Sequence, residues 1–93
     1  MHVEVITPDK RLYTGEATLV KLPGISGSFE ILKNHAPIIS ILNEGDVKII
    51  SSNEEIVHIG ITGGMVEVDD NKVIILASGQ TGIEEPEDES EDE

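Results

Sequence analysis

Three histidines, His2, His35 and His58, and 19 acidic residues are the side chains of this 93-residue chain with which chemistry could be done. Imidazoles gather round zinc when their spacing brings them to one point. Here each histidine falls in or beside a different expected strand, and the spacing fits no ligand pattern. We therefore expect no metal site. A pair of carboxylates can act as general acid and base. Nearly all of the acids, however, stand at the polar positions of alternating runs or in turns, where a solvated face accounts for them. There is no cysteine, so neither a disulfide framework nor a thiolate site is available. Dinucleotide, phosphate-loop, nucleophile-elbow and zinc-protease patterns are all absent. The segment GISGS, 24–28, has glycines and serines but no lysine and no helix after it, so it reads as a turn. No catalytic residue and no cofactor is expected.

His35 remains the most suggestive of these residues. It lies in FEILKNHAPII, 29–39, which opens on the only phenylalanine and has apolar residues on both sides. Such a histidine could be a catalytic group, a ligand, a pH sensor or a piece of interface geometry. Its neighbours favour the last. Asn34 suits a turn, and Pro37 cannot donate to a ladder, so it belongs at an edge strand or at the first residue of a strand. His35 is thereby presented beside an unpaired backbone edge, which is a place for contact.

The elements that position it are strands. Apolar residues make up 38% of the chain, yet only Tyr13 and Phe29 are aromatic, and 14 isoleucines and eight valines form the bulk. Stiff β-branched side chains pack well on a pleated surface. Val3 and Val5 share one face; Val57, Ile59 and Ile61 alternate with polar or small residues, as do Val66 and Val68. Turn signals recur at short intervals: PDK at 8–10, Gly15, Pro23-Gly24, Gly27, NEGD at 43–46, SSNEE at 51–55, Gly63-Gly64 and DDNK at 69–72. The last reads as a tight hairpin, and Gly63-Gly64 as a bulge or a close backbone approach. No window carries a sustained helical stripe. The spacing predicts an all-β fold: a small antiparallel β-sandwich of about ten short strands in one domain over residues 1–81. Two runs, 36–42 and 73–77, are apolar on both faces. Either a loop of this chain covers their outer side or a partner protein does.

Charge is unevenly placed. The net charge is −13, but the last ten residues carry eight acids and no base, leaving −5 for the first 83. We expect residues 82–93 to be a disordered, solvated tail. The acidity argues against nucleic acid as a partner and against direct lipid insertion or adsorption to anionic lipid. The longest apolar runs fall far short of the roughly 20 residues needed to span a bilayer. The opening MHVEVITPDK lacks the pattern of a signal peptide, so we expect a soluble, intracellular domain.

In order along the chain, VEVITPDKRLYTGEATLVKLPG (3–24), LPGISGSFEILKNHAPII (22–39), EGDVKI (44–49) and GGMVEVDDNKVIILA (63–77) together resemble the epsilon subunit of the F-type ATP synthase. The resemblance covers residues 1 to about 79. It implies a β-sandwich on the rotor's central stalk, peripheral to the cytoplasmic face of the bacterial plasma membrane. Its partners would be the gamma subunit and the membrane c-ring, and its role would be non-catalytic coupling of ion movement to ATP synthesis. The segment His35, Ala36, Pro37, Ile38, Ile39 and Ser40 matches the part of the family that faces gamma. Gly24, Ser26, Gly27, Ser28 and Glu30 match the turn near the c-ring. Many relatives carry an acid where Ser28 stands, and glycine where Glu30 stands, so the charge is displaced by two residues along one side of a strand. Family members usually continue into a helical hairpin involved in autoinhibition and ATP sensing. GQTGIEEPEDESEDE has no helical period, and for a chain of this extent both properties are expected to be missing.

Overall fold

The computed structural model describes residues 1–87 and contains nine strands. They are β1 (His2–Ile6), β2 (Arg11–Gly24), β3 (Gly27–Leu32), β4 (Ile38–Leu42), β5 (Gly45–Ser51), β6 (Ile56–Ile61), β7 (Gly64–Asp69), β8 (Lys72–Ala77) and β9 (Gln80–Glu87). All belong to one continuous sheet in the order β1-β8-β7-β4-β2-β5-β6-β9, with β3 paired to β2 and β1 also paired to β2. The sheet doubles over on itself, and one cluster of buried aliphatic side chains fills the space between its layers. Pairing is antiparallel except between β1 and β8, where Val3 lies opposite Val73 and Val5 opposite Ile75.

The alternation seen in the sequence becomes the core. Val3 and Val5 of β1, Val57, Ile59 and Ile61 of β6, Val66 and Val68 of β7, and Val73 and Ile75 of β8 all point inward and are buried. Tyr13 and Phe29 sit half-buried at its margin. Thr7 is the one buried polar residue among those described. Its hydroxyl donates to the Lys10 carbonyl at 3.1 Å and accepts from the Lys10 amide at 3.2 Å, which ties the β1–β2 connection without an unsatisfied group.

β2 serves both layers. Its first half pairs with β1 (Val3 opposite Gly15, Val5 opposite Tyr13), and its second half pairs with β3 and β5. The register against β5 shifts between Ala17 and Leu19, an irregularity of the kind that bends a strand. This long strand absorbs two of the expected turns. Gly15 lies within it, with the Tyr13 hydroxyl 3.1 Å from where a Cβ would stand. Pro23 and Gly24 also remain in the strand, opposite Ser28 and Gly27, and the turn itself is Ile25-Ser26. Proline fits there because the pairing of β2 with β5 has already ended at Lys21. The other turns follow the sequence: Asp70 and Asn71 have φ of 52° and 59° in the two-residue β7–β8 hairpin. Gly64 has φ of 149°, and a Cβ there would collide with the carbonyl oxygen of Leu76.

β9 continues to Glu87, so strand pairing with β6 runs on past residue 82, into the segment expected to be tail. Residues 88–93 lie outside the described residues.

Candidate interaction face

The corner before β4 is built from the backbone outward. The amide of His35 donates to the Leu32 carbonyl at 3.1 Å, closing a turn in which Asn34 takes φ of 67°. Asparagine tolerates that left-handed geometry better than most residues. The Asn34 amide donates to Oδ1 of Asn71 at 2.6 Å, and Nδ2 of Asn71 returns a bond to Oδ1 of Asn34 at 2.8 Å. The corner is thus clasped to the β7–β8 hairpin. Nδ1 of His35 lies 2.7 Å from the Ala36 carbonyl. A carbonyl can only accept, so Nδ1 is the donor in this contact.

Beyond the corner, β4 pairs with β7 along its whole length but meets β2 only where Leu42 lies opposite Gly24. Its other edge is therefore open from Ile38 to Ser40 among the described residues, as Pro37 suggested. Of the expected contact set, Ala36, Pro37 and Ile39 are exposed, while His35, Ile38 and Ser40 are half-buried. Ile38 packs against the core, so the outward apolar residues of this strand are Ile39, 68% exposed, and Ile41, 54% exposed.

Cross-strand register carries this apolar surface further. Ile41 lies opposite Met65, Met65 opposite Leu76, and Leu76 opposite Ile6, giving one unbroken apolar row across four strands. The next row reads Ile39, Glu67, Ile74 and Glu4. The row after it reads Asp69, Lys72 and His2. The two-faced character of 36–42 and 73–77 thus becomes an outward apolar patch in which Ile39, Ile41 and Leu76 are exposed and Ile6, Met65 and Ile74 half-buried. Ile41, Met65, Leu76 and the bare backbone of Gly64 line a shallow hollow in it.

The second expected set occupies the β2–β3 hairpin. Ser26, Gly27, Ser28 and Glu30 are exposed, and Ser28 and Glu30 share the outer side of β3, since Phe29 and Ile31 point inward. Gly24 is buried: a Cβ on it would stand 2.8 Å from the Phe29 ring, so glycine there lets the aromatic ring close over the strand. The first set enters β4 at Ile38, whereas Gly24 of the second lies opposite Leu42 at the other end of the strand, about 13 Å from Ile38 at the usual rise per residue.

The expected contact sets omit Ile25, Met65, Glu67 and Asn71, and Ile41 enters only as part of the two-faced run 36–42. Ile25, at the hairpin tip, is 58% exposed, and its amide reaches the Ile41 carbonyl at 3.4 Å, so it adjoins the apolar patch. A period-two count carried past residue 40 finds Ile41. Met65, Glu67 and Asn71 emerge only once strands distant in sequence are paired.

The remaining polar side chains do not converge. His2 bridges two carboxylates, Nδ1 to Glu16 and Nε2 to Glu4, both at 3.2 Å. His58 pairs with Asp46 at 2.8 Å on β6 and β5. Among the described residues, no three His, Cys, Asp or Glu side chains gather closely enough to hold a metal ion. Burial, and then the negative charge of Glu55, raise the Tyr13 phenol above the ordinary 10.0.

Comparison with known proteins bears on this surface. Residues 1–81 match the family described as "ATP synthase, Delta/Epsilon chain, beta-sandwich domain". The chain is 37% identical over 83 residues to an ATP synthase epsilon chain of Sulfurimonas denitrificans, covering 89% of this chain and 64% of that one. It is 40% identical over 77 residues to an epsilon chain of Bordetella parapertussis, covering 83% and 55%. An epsilon chain of Helicobacter pylori is 37% identical over 92 residues, covering 99% and 74%. The chain thus spans about half to three quarters of the length of these relatives. The fold is similar to a chain in the central stalk and c-ring of the Tetrahymena thermophila mitochondrial ATP synthase, with a TM-score of 0.70 at 23% identity, covering 87% of this chain and 65% of that chain. A chain of the Euglena gracilis mitochondrial ATP synthase gives 0.79 at 17% identity, covering 90% and 51%. At those identities the likeness is one of fold.

Proposed function

The chain belongs to the ATP synthase delta/epsilon family through its β-sandwich domain, and on that premise we propose that it is a non-catalytic rotor subunit joining the gamma shaft to the membrane c-ring. It would lie peripherally at the cytoplasmic face of the bacterial plasma membrane as part of the synthase. Its task is mechanical: rotation driven by ion flow must reach the catalytic head without slip.

The observation that carries this reading is the outward apolar row Ile41–Met65–Leu76–Ile6, with Ile41 and Leu76 exposed and Met65 and Ile6 half-buried, continuous with the corner His35 to Ser40. Covering it with gamma removes apolar area from water at about 25 cal/mol per Å² before association costs. The polar tip formed by Gly24, Ser26, Gly27, Ser28 and Glu30 would rest on the loops of the ring. A hydrogen-bonded sheet between the two contacts suits a part that has to resist torsion.

The test is affinity for gamma. Ile39→Asp and Ile41→Asp change exposed side chains and are expected to leave folding intact, while binding to purified cognate gamma falls at least tenfold. Folded variants that bind gamma as tightly as the unmodified chain would sink the assignment.

A further inference from the structure

Glu67 occupies an unusual place on the apolar face. Directly across β7 it has Ile39 on one side and Ile74 on the other, and two residues back along its own strand lies Met65. It is an exposed carboxylate set into the edge of a patch whose other members are apolar. Asp69, on the same side of β7 and the next row over, adds a second. Neither carboxylate has a cation within 4.0 Å among the described residues, whereas Glu4 of β1 and Glu16 of β2 both engage His2. Grooves open on both sides of the pair: Glu67 and Asp69 line one with Pro37 and Ile39, and another with Lys72 and Ile74.

This arrangement constrains whatever covers the face. A segment long enough to cover Ile39, Ile41 and Met65 passes over Glu67, because cross-strand and along-strand neighbours stand only about 5–8 Å away. An apolar segment would strip water from that carboxylate and give nothing back, a penalty large enough to oppose docking. A segment with a guanidinium or ammonium at that point would turn the same residue into a charge-assisted contact. We propose that the partner segment seated on β4, β7 and β8 is amphipathic and basic, with apolar side chains over Ile41, Met65 and Leu76 and an Arg or Lys over Glu67. Glu67 then determines specificity: it admits a cationic segment and rejects an apolar one of the same shape.

The inference rests on the reading of gamma as occupant, and the experiment separates the two. Binding of cognate gamma is measured across a salt series for the unmodified chain, Glu67→Gln, Glu67→Lys and Ile41→Asp, with thermal unfolding as the folding control. Glu67 is exposed, so all forms are expected to fold. Glu67→Gln should weaken binding about tenfold at low salt and flatten the salt dependence, and Glu67→Lys should weaken it a further tenfold or more. If Glu67→Gln binds as tightly as the unmodified chain with the same salt slope, while Ile41→Asp does not bind, the basic segment is refuted and gamma docking stands. If the unmodified chain itself fails to bind gamma, both fall.

Discussion

Asn34 and Asn71, 37 residues apart in the chain, exchange two hydrogen bonds that fasten the corner before β4 to the β7–β8 hairpin. Asn71 also accepts from the His2 amide at 2.9 Å, so the start of β1 joins at the same point. Both asparagines hold positive φ, which lets glycine serve as a clean probe. Asn34→Gly or Asn71→Gly should each cost about 1 kcal/mol in urea unfolding, the ordinary net worth of such bonds near a surface. Asn71→Gly removes both bonds, whereas Asn34→Gly keeps the one donated by its backbone amide, so the double variant should cost little more than Asn71→Gly alone. Additive losses would show that the two residues stabilise the fold separately.

Gly64 supplies a different kind of restraint. With φ of 149° and the Leu76 carbonyl where a Cβ would go, it cannot accept a side chain without moving β8. Gly64→Ala should therefore destabilise by about 2–4 kcal/mol, combining backbone strain with displacement of a sheet neighbour. Gly27 has φ of 127° but open space around it, so Gly27→Ala carries the strain alone and should cost about half as much. Equal losses in chemical denaturation would mean that the collision at Gly64 relaxes freely.

Much of this architecture is legible in the chain because burial and strand period are local properties. Val3 and Val5, or Val57, Ile59 and Ile61, declare their inward face by alternation alone. The DDNK hairpin declares itself by residues that accept left-handed backbone. What stays hidden depends on pairing between distant segments. Nothing near Gly15 shows that β2 runs through it, because what favours glycine there is the Tyr13 ring lying close to its own strand's backbone. Nothing near Pro23 shows that the neighbour on one side has ended at Lys21. The parallel pairing of β1 with β8, which brings Ile6 into the apolar row, has no local signature at all. The setting of Glu67 between two isoleucines was invisible for the same reason: the three residues come from three strands.

Two isoleucines test the division between the layers' inner and outer faces. Ile59 is fully buried in the core and Ile39 is 68% exposed, yet both are strand residues of the same type. Ile59→Ala should cost about 2–5 kcal/mol through lost burial and a residual cavity. Ile39→Ala should stay within about 0.5 kcal/mol, as surface changes do. Comparable midpoints in thermal unfolding would contradict the placement of β4.

Tyr13 gives a pH dependence whose sign can be worked out. It is the only tyrosine, and there is no tryptophan, so ultraviolet titration of the phenolate reports on this residue alone. Burial is the larger cause of its raised equilibrium, and the charge of Glu55 adds to it. The folded chain therefore holds the phenolic proton more tightly than the unfolded chain. The resulting stability is fully present below about pH 10 and is lost as pH rises through the higher folded value. Titration of the native protein should give a midpoint above that of the urea-unfolded chain. Glu55→Gln should close the smaller part of the gap, since burial persists without the charge. In Tyr13→Phe the decline of stability above pH 10 should become shallower. A native midpoint at or below the unfolded one would mean that the phenol is solvated, and that Tyr13 does not pack at the margin of the core.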